Sequence, residues 1–415
     1  MCRQAWFAFA LLLFGGRLAI SSVAAQNPLL EPPPRIDRGP ATAPVIETKE
    51  TIFSSERTAD DAGCPHFWAR ADYLLWWLKP VCLKPATLTL GSSTDAIPGA
   101  VGQPHTTLIM GEHKFEFGGA SGIRPTLGIW LTRDQCFAFE SEGFLLERVA
   151  ASQSFRATNG SPASFLPFQD PSNVDQALPF TIPGLVNGNS IAVGRSRLWG
   201  LESNLSATFS TTRGGFVLSS ALLAGFRYLD LQDKVTVSNT LNFVSDPSVV
   251  AFGADDFMTR NQFYGGQLGS RLGLAADQWS IEFLTKIALG ETHQVSEVSG
   301  APLLPGSASS PLLLPGPFLA LPSNIGRQSA DRITLVPEVA ITVHYHVAEH
   351  VTVSLGYSGL YWNKVLCPGD QMDSHANITQ LPFHGPFTGA KLPAPQFVHT
   401  DAFAQGLNLG LEIDF

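Results

Sequence analysis

From Phe67 to the C-terminus, apolar and polar residues alternate with period two in long stretches. The last stretch is the cleanest. Between Ala402 and Phe415 one face carries Phe403, Leu407, Leu409, Leu411, Ile413 and Phe415, and the other Ala402, Ala404, Gly406, Asn408, Gly410, Glu412 and Asp414. Successive side chains of a strand point to opposite faces, so this pattern predicts a strand with one apolar and one polar surface. Leu335, Val339, Ile341, Val343 and Tyr345 likewise oppose Glu338, Thr342, His344 and His346. Trp279, Ile281, Phe283, Ile287 and Leu289 oppose Ser280, Glu282 and Lys286, and Trp199, Leu201, Leu205, Ala207 and Phe209 oppose Glu202, Asn204 and Ser206. Val351, Val353, Leu355, Tyr357 and Tyr361 oppose Thr352, Ser354, Gly356 and Ser358. The stretch from Gly215 to Leu231 is less regular, with Val217, Leu223 and Leu229 on its polar side.

Read this way, the chain predicts ten strands, at 67–78, 120–132, 136–149, 194–210, 215–231, 259–275, 278–294, 331–346, 350–365 and 401–415. Strands of soluble sandwiches usually run about five or six residues, whereas a bilayer requires about 9 to 11 or more. The connections alternate strictly. Four are short, at Arg133–Gln135, Thr211–Gly214, Ala276–Asp277 and Val347–Glu349; five are long, at 79–119, 150–193, 232–258, 295–330 and 366–400. Short inner turns and long outer loops are the habit of outer-membrane barrels. The expected fold is therefore all-β: a transmembrane antiparallel up-and-down β-barrel of about ten strands, with twelve as the alternative count. Both termini then fall on the periplasmic side. Lipid offers no hydrogen-bond partner to an open sheet edge, so strand 401–415 must pair with strand 67–78.

The N-terminus adds a destination. Arg3, the apolar run Ala5–Phe14 and the small residues Val23-Ala24-Ala25 before Gln26 form the pattern of a secretory signal, cleaved near Ala25. The run is too short for a membrane anchor, which needs about 20 apolar residues. Residues 26–63, with Pro28, Pro32, Pro33, Pro34, Pro40 and Pro44, read as a disordered Pro-rich periplasmic segment, leaving 64–415 for the barrel. Charged residues are 15% of the chain, against about 25% in a typical soluble domain. The net charge of −9 gives no reason to expect a nucleic-acid partner. The expected location is the outer membrane, with its lipid as surroundings.

Two stretches carry a resemblance: Phe67-Trp68-Ala69-Arg70-Ala71-Asp72-Tyr73-Leu74-Leu75-Trp76-Trp77, and Gly122-Ile123-Arg124-Pro125-Thr126-Leu127-Gly128-Ile129-Trp130-Leu131. Together they resemble the opening hairpin of the planctomycete outer-membrane β-barrel family of beta-barrel porin-7 type, with Asp72 where that family usually has Glu. Val336-Pro337-Glu338-Val339 and the strand ending in Tyr361-Trp362 are similar to further segments of it. The resemblance runs from about Phe67 to Phe415. It implies a barrel in the outer membrane and little about activity. Phe415 also resembles the C-terminal signature recognised by the β-barrel assembly machinery, and it is equally the last lipid-facing residue.

Candidate chemistry gathers on the polar face, which would line the lumen with Arg70, Asp72, Arg124, Glu140, Glu142, Glu202, Arg227, Arg271, Glu282, Lys286, Glu338, Glu412 and Asp414. These residues suit either a charged pore or a network of ion pairs filling a narrow barrel. Ten strands lie near the filled end, since about eight leave an interior just filled by side chains. His344 and His346 share a face with Glu338, and His350 lies nearby, but spacing fixes no third ligand, so no metal or cofactor is expected. No G-x-S-x-G, H-E-x-x-H or P-loop motif occurs, which argues against an enzyme. Asp255-Asp256 reads as a solvated acidic edge, and Asn377-Ile378-Thr379 as a chance sequon.

Four cysteines follow the signal, and three connectivities are open to them. The topology favours Cys82–Cys367 on the outer side and Cys64–Cys136 on the periplasmic side. Trp68, Trp76, Trp77, Trp130, Tyr228, Tyr361 and Trp362 suit interfacial girdles, although Trp76, Trp130 and Trp362 fall on the lumen side of the register. The apolar segment Gly300–Pro322 has four readings: a lid on the mouth, a plug in the lumen, a partner contact, or an outer loop packed on its neighbours. The expected function is a structural or narrow-pore, porin-like barrel. The alternative is surface recognition through the long loops, and a barrel hydrolase comes third.

Overall fold

The structure is a computed structural model that describes residues 67–248, 250–305, 318–381 and 386–415. The predicted signal, the Pro-rich segment and Cys64 lie outside the described residues. Fifteen strands form: β1 Phe67–Leu78, β2 Val81–Leu90, β3 Thr107–Phe115, β4 Ala120–Trp130, β5 Phe137–Leu146, β6 Val149–Arg156, β7 Ser164–Gln169, β8 Asp175–Thr181, β9 Val186–Arg213, β10 Phe216–Phe243, β11 Val250–Ala276, β12 Trp279–Pro305, β13 Gly326–Ala348, β14 Val351–Leu366 and β15 His399–Asp414.

Ten of them, β1, β4, β5 and β9 to β15, form a closed antiparallel ring. Its seam is the expected one. β15 pairs with β1, Leu411 opposite Ala71, and the Phe415 N–H donates to the Phe67 carbonyl at 3.1 Å. The four short turns lie at one end. One of them follows Arg213, where Gly214 and Gly215 hold φ of +61° and +85°, the pair of left-handed residues that matches the twist of a two-residue hairpin.

The long loops are where the expectation fails. Two contain strands of a second, four-stranded sheet in the order β3-β2-β7-β8, and β6 pairs with the outer part of β9. The loop expected at 232–258 is mostly strand, because β10 and β11 run 28 and 27 residues. At about 3.4 Å per residue such strands far exceed a bilayer crossing.

The reason is an inversion of faces along β10. From Phe216 to Tyr228 the outward residues are largely apolar: Phe216, Leu218, Leu222 and Phe226 are all exposed. Beyond Tyr228 the outward positions become Asp230, Gln232, Lys234, Thr236 and Ser238, while Leu229, Leu231, Val235, Val237 and Leu241 turn inward and are buried. The period stays at two and its sign changes. Below the switch the apolar face meets lipid; above it, the apolar face meets protein.

That protein is a cap. Leu83, Leu88, Met110, Phe115, Leu166, Phe168 and Phe180 pack against Val235, Val237, Leu241, Ala251, Phe257 and Val298 of the long strands. At about 1.5–3 kcal/mol for each large apolar side chain, this core is ample to order the cap. Of the apolar segment Gly300–Pro322, residues 306–317 lie outside the described residues, and Phe318, Leu319 and Leu321 are buried in this core. Asp255 is not a solvated edge. It is buried and accepts the N–H groups of Phe318 at 3.1 Å and Ala320 at 2.8 Å, and burial pushes its carboxyl up to about 6. Asn377 is also structural, its amide donating to the carbonyls of Thr388 and Ala390 at 2.7 Å each.

The aromatic girdle is narrower than expected. Trp199, Tyr228 and Tyr264 stack outside the barrel with ring centroids 5.0 Å apart, at the level where β10 inverts. Trp279 and Tyr345 stack at the opposite end, at 4.7 Å. Trp77 and Tyr361 also face outward. Trp68, Trp76, Trp130 and Trp362 have the parity of the inner residues and point into the lumen.

Candidate functional site

The lumen within the membrane is built in layers. At the end that carries the short turns Trp68 and Trp130 lie with centroids 5.1 Å apart. Gly128 permits this, since a Cβ there would sit 2.0 Å from the Trp68 ring.

Above them lies the charged layer. Asp72, fully buried, accepts from Arg70 at 2.8 Å and Arg124 at 3.1 Å. Arg124 reaches Glu142 at 4.0 Å. Across the lumen Arg271 joins Glu140 at 3.1 Å and Glu282 at 3.5 Å. At the centre Arg227 donates through Nε to Glu202 at 2.9 Å and through Nη2 to Glu338, while Lys286 donates to the other oxygen of Glu202. The strands β9, β10, β12 and β13 thus meet through four side chains. All of these residues face inward as the alternation implied. Glu412 also faces the interior, as the outward parity of Leu411 and Ile413 requires.

Position and neighbours explain how the cluster fits. A Cβ on Gly410 would lie 2.3 Å from the Asp72 Oδ1 and from the Ser354 Oγ, so only glycine leaves room for the Asp72 carboxylate. The uncharged Asn204 donates to Glu202 at 3.0 Å and accepts from Gln267 at 2.6 Å. Sequence reasoning named the charges and passed over these amides, whose inward parity was the available signal.

The next layer is apolar. Leu74, Trp76, Leu146, Leu198, Leu229, Phe263, Val336, Leu360 and Trp362 fill the cross-section and are all buried. Both indoles are satisfied: Trp76 donates to Asn408 at 2.8 Å and Trp362 to Thr292 at 3.1 Å. Where the two layers meet, Trp76, Arg124, Glu202, Arg227, Leu229 and Glu338 surround a cavity of about 10 Å³. That is about the room a single water molecule needs.

The histidines add little. His344 and His346 face the interior near the inner end, and His346 bonds Thr352 at 2.8 Å. No group of three or more metal-binding side chains exists among the described residues.

The expected Cys82–Cys367 disulfide is a correction. The two residues lie together above the apolar layer, but as free thiols. Burial pushes the Cys367 thiol up to about 12. Cys136 is disulfide-bonded.

The family described as "Putative beta barrel porin-7 (BBP7)" matches residues 68–415. No curated relative matches. Among solved structures, the outer membrane protease OmpT of Escherichia coli is similar with a TM-score of 0.41 and 9% identity, over 86% of this chain and 99% of that one. A FadL homologue of Pseudomonas aeruginosa gives 0.18 and 8%, over 85% and 90%. An anion-selective porin of Comamonas acidovorans gives 0.16 and 7%, over 85% and 99%. Likenesses this distant carry no argument about activity.

Proposed function

The chain belongs to the beta barrel porin-7 family and is an outer-membrane β-barrel protein of porin-like role, and from that premise we propose that its lumen is held closed at rest. The observation that carries the proposal is the pair of stacked layers. Arg227 lies between Glu202 and Glu338, and directly above it the indoles of Trp76 and Trp362 fill the cross-section. An ion entering from the periplasm would have to break buried ion pairs and then cross a largely apolar layer whose side-chain oxygens at Asn408 and Thr292 are already engaged by the indoles. Either step alone is costly, because an unpaired charge loses several kcal/mol on leaving water.

On this reading the protein has a structural or narrow-pore role and is not an enzyme. The first 25 residues direct export, Phe415 engages the β-barrel assembly machinery, and the exposed apolar belt meets outer-membrane lipid. Recognition through the outer loops is a second reading, favoured by the ordered core of the cap.

Planar-bilayer recording tests the first reading. Wild-type protein should be silent or give rare, small steps. The double variant Trp76→Ala/Trp362→Ala should conduct measurably. Steady, large conductance from the wild type would refute the proposal, as would a double variant that folds and stays silent.

A further inference from the structure

Above the apolar layer, on the outer side, a second cavity of about 150 Å³ opens between β1, β2, β9, β10, β14 and β15. Its walls are mostly apolar, with Leu198, Leu231, Leu360, Trp362 and Val365 prominent, and the sulfurs of Cys82 and Cys367 add polarisable surface. Its rim carries the exposed Lys79, Lys84 and Asp401. Beside it the β14–β15 ladder is interrupted between Trp362 and Val365, where Lys364 takes a positive φ of 52°.

The charges around this cavity are unequally satisfied. Lys84 is paired with Asp370. Lys79 donates to Thr400 at 3.1 Å and to the Asp401 carbonyl at 2.6 Å. Asp401 accepts the Lys364 N–H at 3.2 Å. Asp233 remains. It is 6% exposed, accepts from Ser196, and its Oδ1 has no hydrogen-bond partner among the described residues. A buried carboxylate oxygen without a partner is rare and costly. Burial pushes this carboxyl up to about 7, against the hydrogen bond from Ser196 and the charge of Lys79.

We propose that this cavity is a binding site for a small amphiphilic cation, a single-ring or short-chain amine whose apolar body fills the space and whose ammonium donates to Asp233. Size supports the class, since an apolar cavity of roughly 150 Å³ accommodates one benzene-sized ring. Charge supports the sign, because the oxygen left without a hydrogen-bond partner belongs to an acid, Lys84 is paired with Asp370, and Lys79 acts on Asp233 through its charge while its hydrogen bonds go to Thr400 and Asp401. A metal ion fits less well, as no three His, Cys, Asp or Glu side chains among the described residues are grouped so as to hold one. The site is independent of whether the barrel conducts.

Isothermal titration of the full-length folded protein in detergent, at mildly alkaline pH, compares benzylamine, benzyl alcohol and benzoate. A charge-assisted hydrogen bond of about 1.5–3 kcal/mol predicts benzylamine binding at least about tenfold tighter than benzyl alcohol, with benzoate weaker still. Asp233→Asn should erase the difference. Leu231→Phe, which fills the cavity without touching Asp233, should abolish benzylamine binding. Absence of benzylamine binding, equal affinity for the three probes, or a preference that survives Asp233→Asn overturns the proposal. Should Asp233→Asn fail to fold, Leu231→Phe decides: loss of binding supports the site and unchanged binding overturns it.

Discussion

Replacing Arg227 with methionine tests the charged layer where it is most concentrated. The side chains are similar in length, so the change removes charge and hydrogen bonds with little loss of volume. Arg227 contacts Glu202 and Glu338 at once, and both carboxylates are buried. At an effective dielectric of about 20, each contact at roughly 4 Å between charge centres is worth about 4 kcal/mol in gross attraction. The guanidinium's own desolvation cost, several kcal/mol, is recovered on removing it. Two carboxylates are then left facing each other, with Lys286 bonded only to Glu202. The net loss should be about 3–5 kcal/mol, the usual cost of breaking a buried pair from one side. Equilibrium unfolding in lipid vesicles, followed by tryptophan fluorescence, measures it. The quadruple variant Glu202→Gln/Arg227→Met/Lys286→Met/Glu338→Gln should recover most of the loss, because no member of the cluster is then left as an unpaired charge. A single variant within about 1 kcal/mol of wild type, or a quadruple variant no better than the single, would refute the reasoning.

Gly410→Leu should destabilise by at least about 2 kcal/mol in the same assay, because its side chain would enter the space of the Asp72 carboxylate and Ser354; Gly266→Ala, with open surroundings, should change little. The cap should lose stability with rising pH. The Asp255 carboxyl is raised from 3.8 to about 6, so the folded state holds a proton that the unfolded state has released between those values. Stability therefore falls through that window and levels off above it, by about 3 kcal/mol at most, and Asp255→Asn should flatten the dependence when proteolysis of the cap is followed against pH. Thiol labelling of the native protein should leave Cys136 unmodified, modify Cys82, and modify Cys367 slowly, as its raised pKa requires. Non-reducing peptide mapping that found Cys82 joined to Cys367 would contradict this arrangement.

Much of the barrel was legible because lipid imposes a simple rule on sequence. Leu407, Leu409, Leu411 and Ile413 must face out, and the residues between them must face in. The same parity located Arg124, Glu202, Arg227, Lys286 and Glu338 on one surface. What parity alone could not supply was the change of solvent along a strand. Leu229 looked like an irregularity in an outward-apolar pattern, and it is in fact the first residue of an inward-apolar one. Strands β2, β3, β7 and β8 escaped for a related reason. They are short, irregular in register and interrupted by Pro85 and Pro167, and the link that joins the two hairpins into one sheet, Thr89 with Phe165, is far apart in sequence. The inner tryptophans were misassigned to a girdle on residue type, although their own parity placed them in the lumen. The cavity beside Asp233 depends on which lysine pairs with which acid, and a one-dimensional pattern does not carry that information.

The central claim is that the lumen is sealed where the charged and apolar layers meet, and one measurement addresses it directly. Ala288 is fully buried in the apolar layer. In a background with Cys82 and Cys367 changed to serine, Ala288→Cys can be exposed to a small, charged, membrane-impermeant methanethiosulfonate in intact vesicles from either side. The account predicts that the folded protein remains unmodified from both sides and reacts only after unfolding. Rapid modification of the folded protein from both sides would mean a continuous aqueous path through the barrel, and would contradict it.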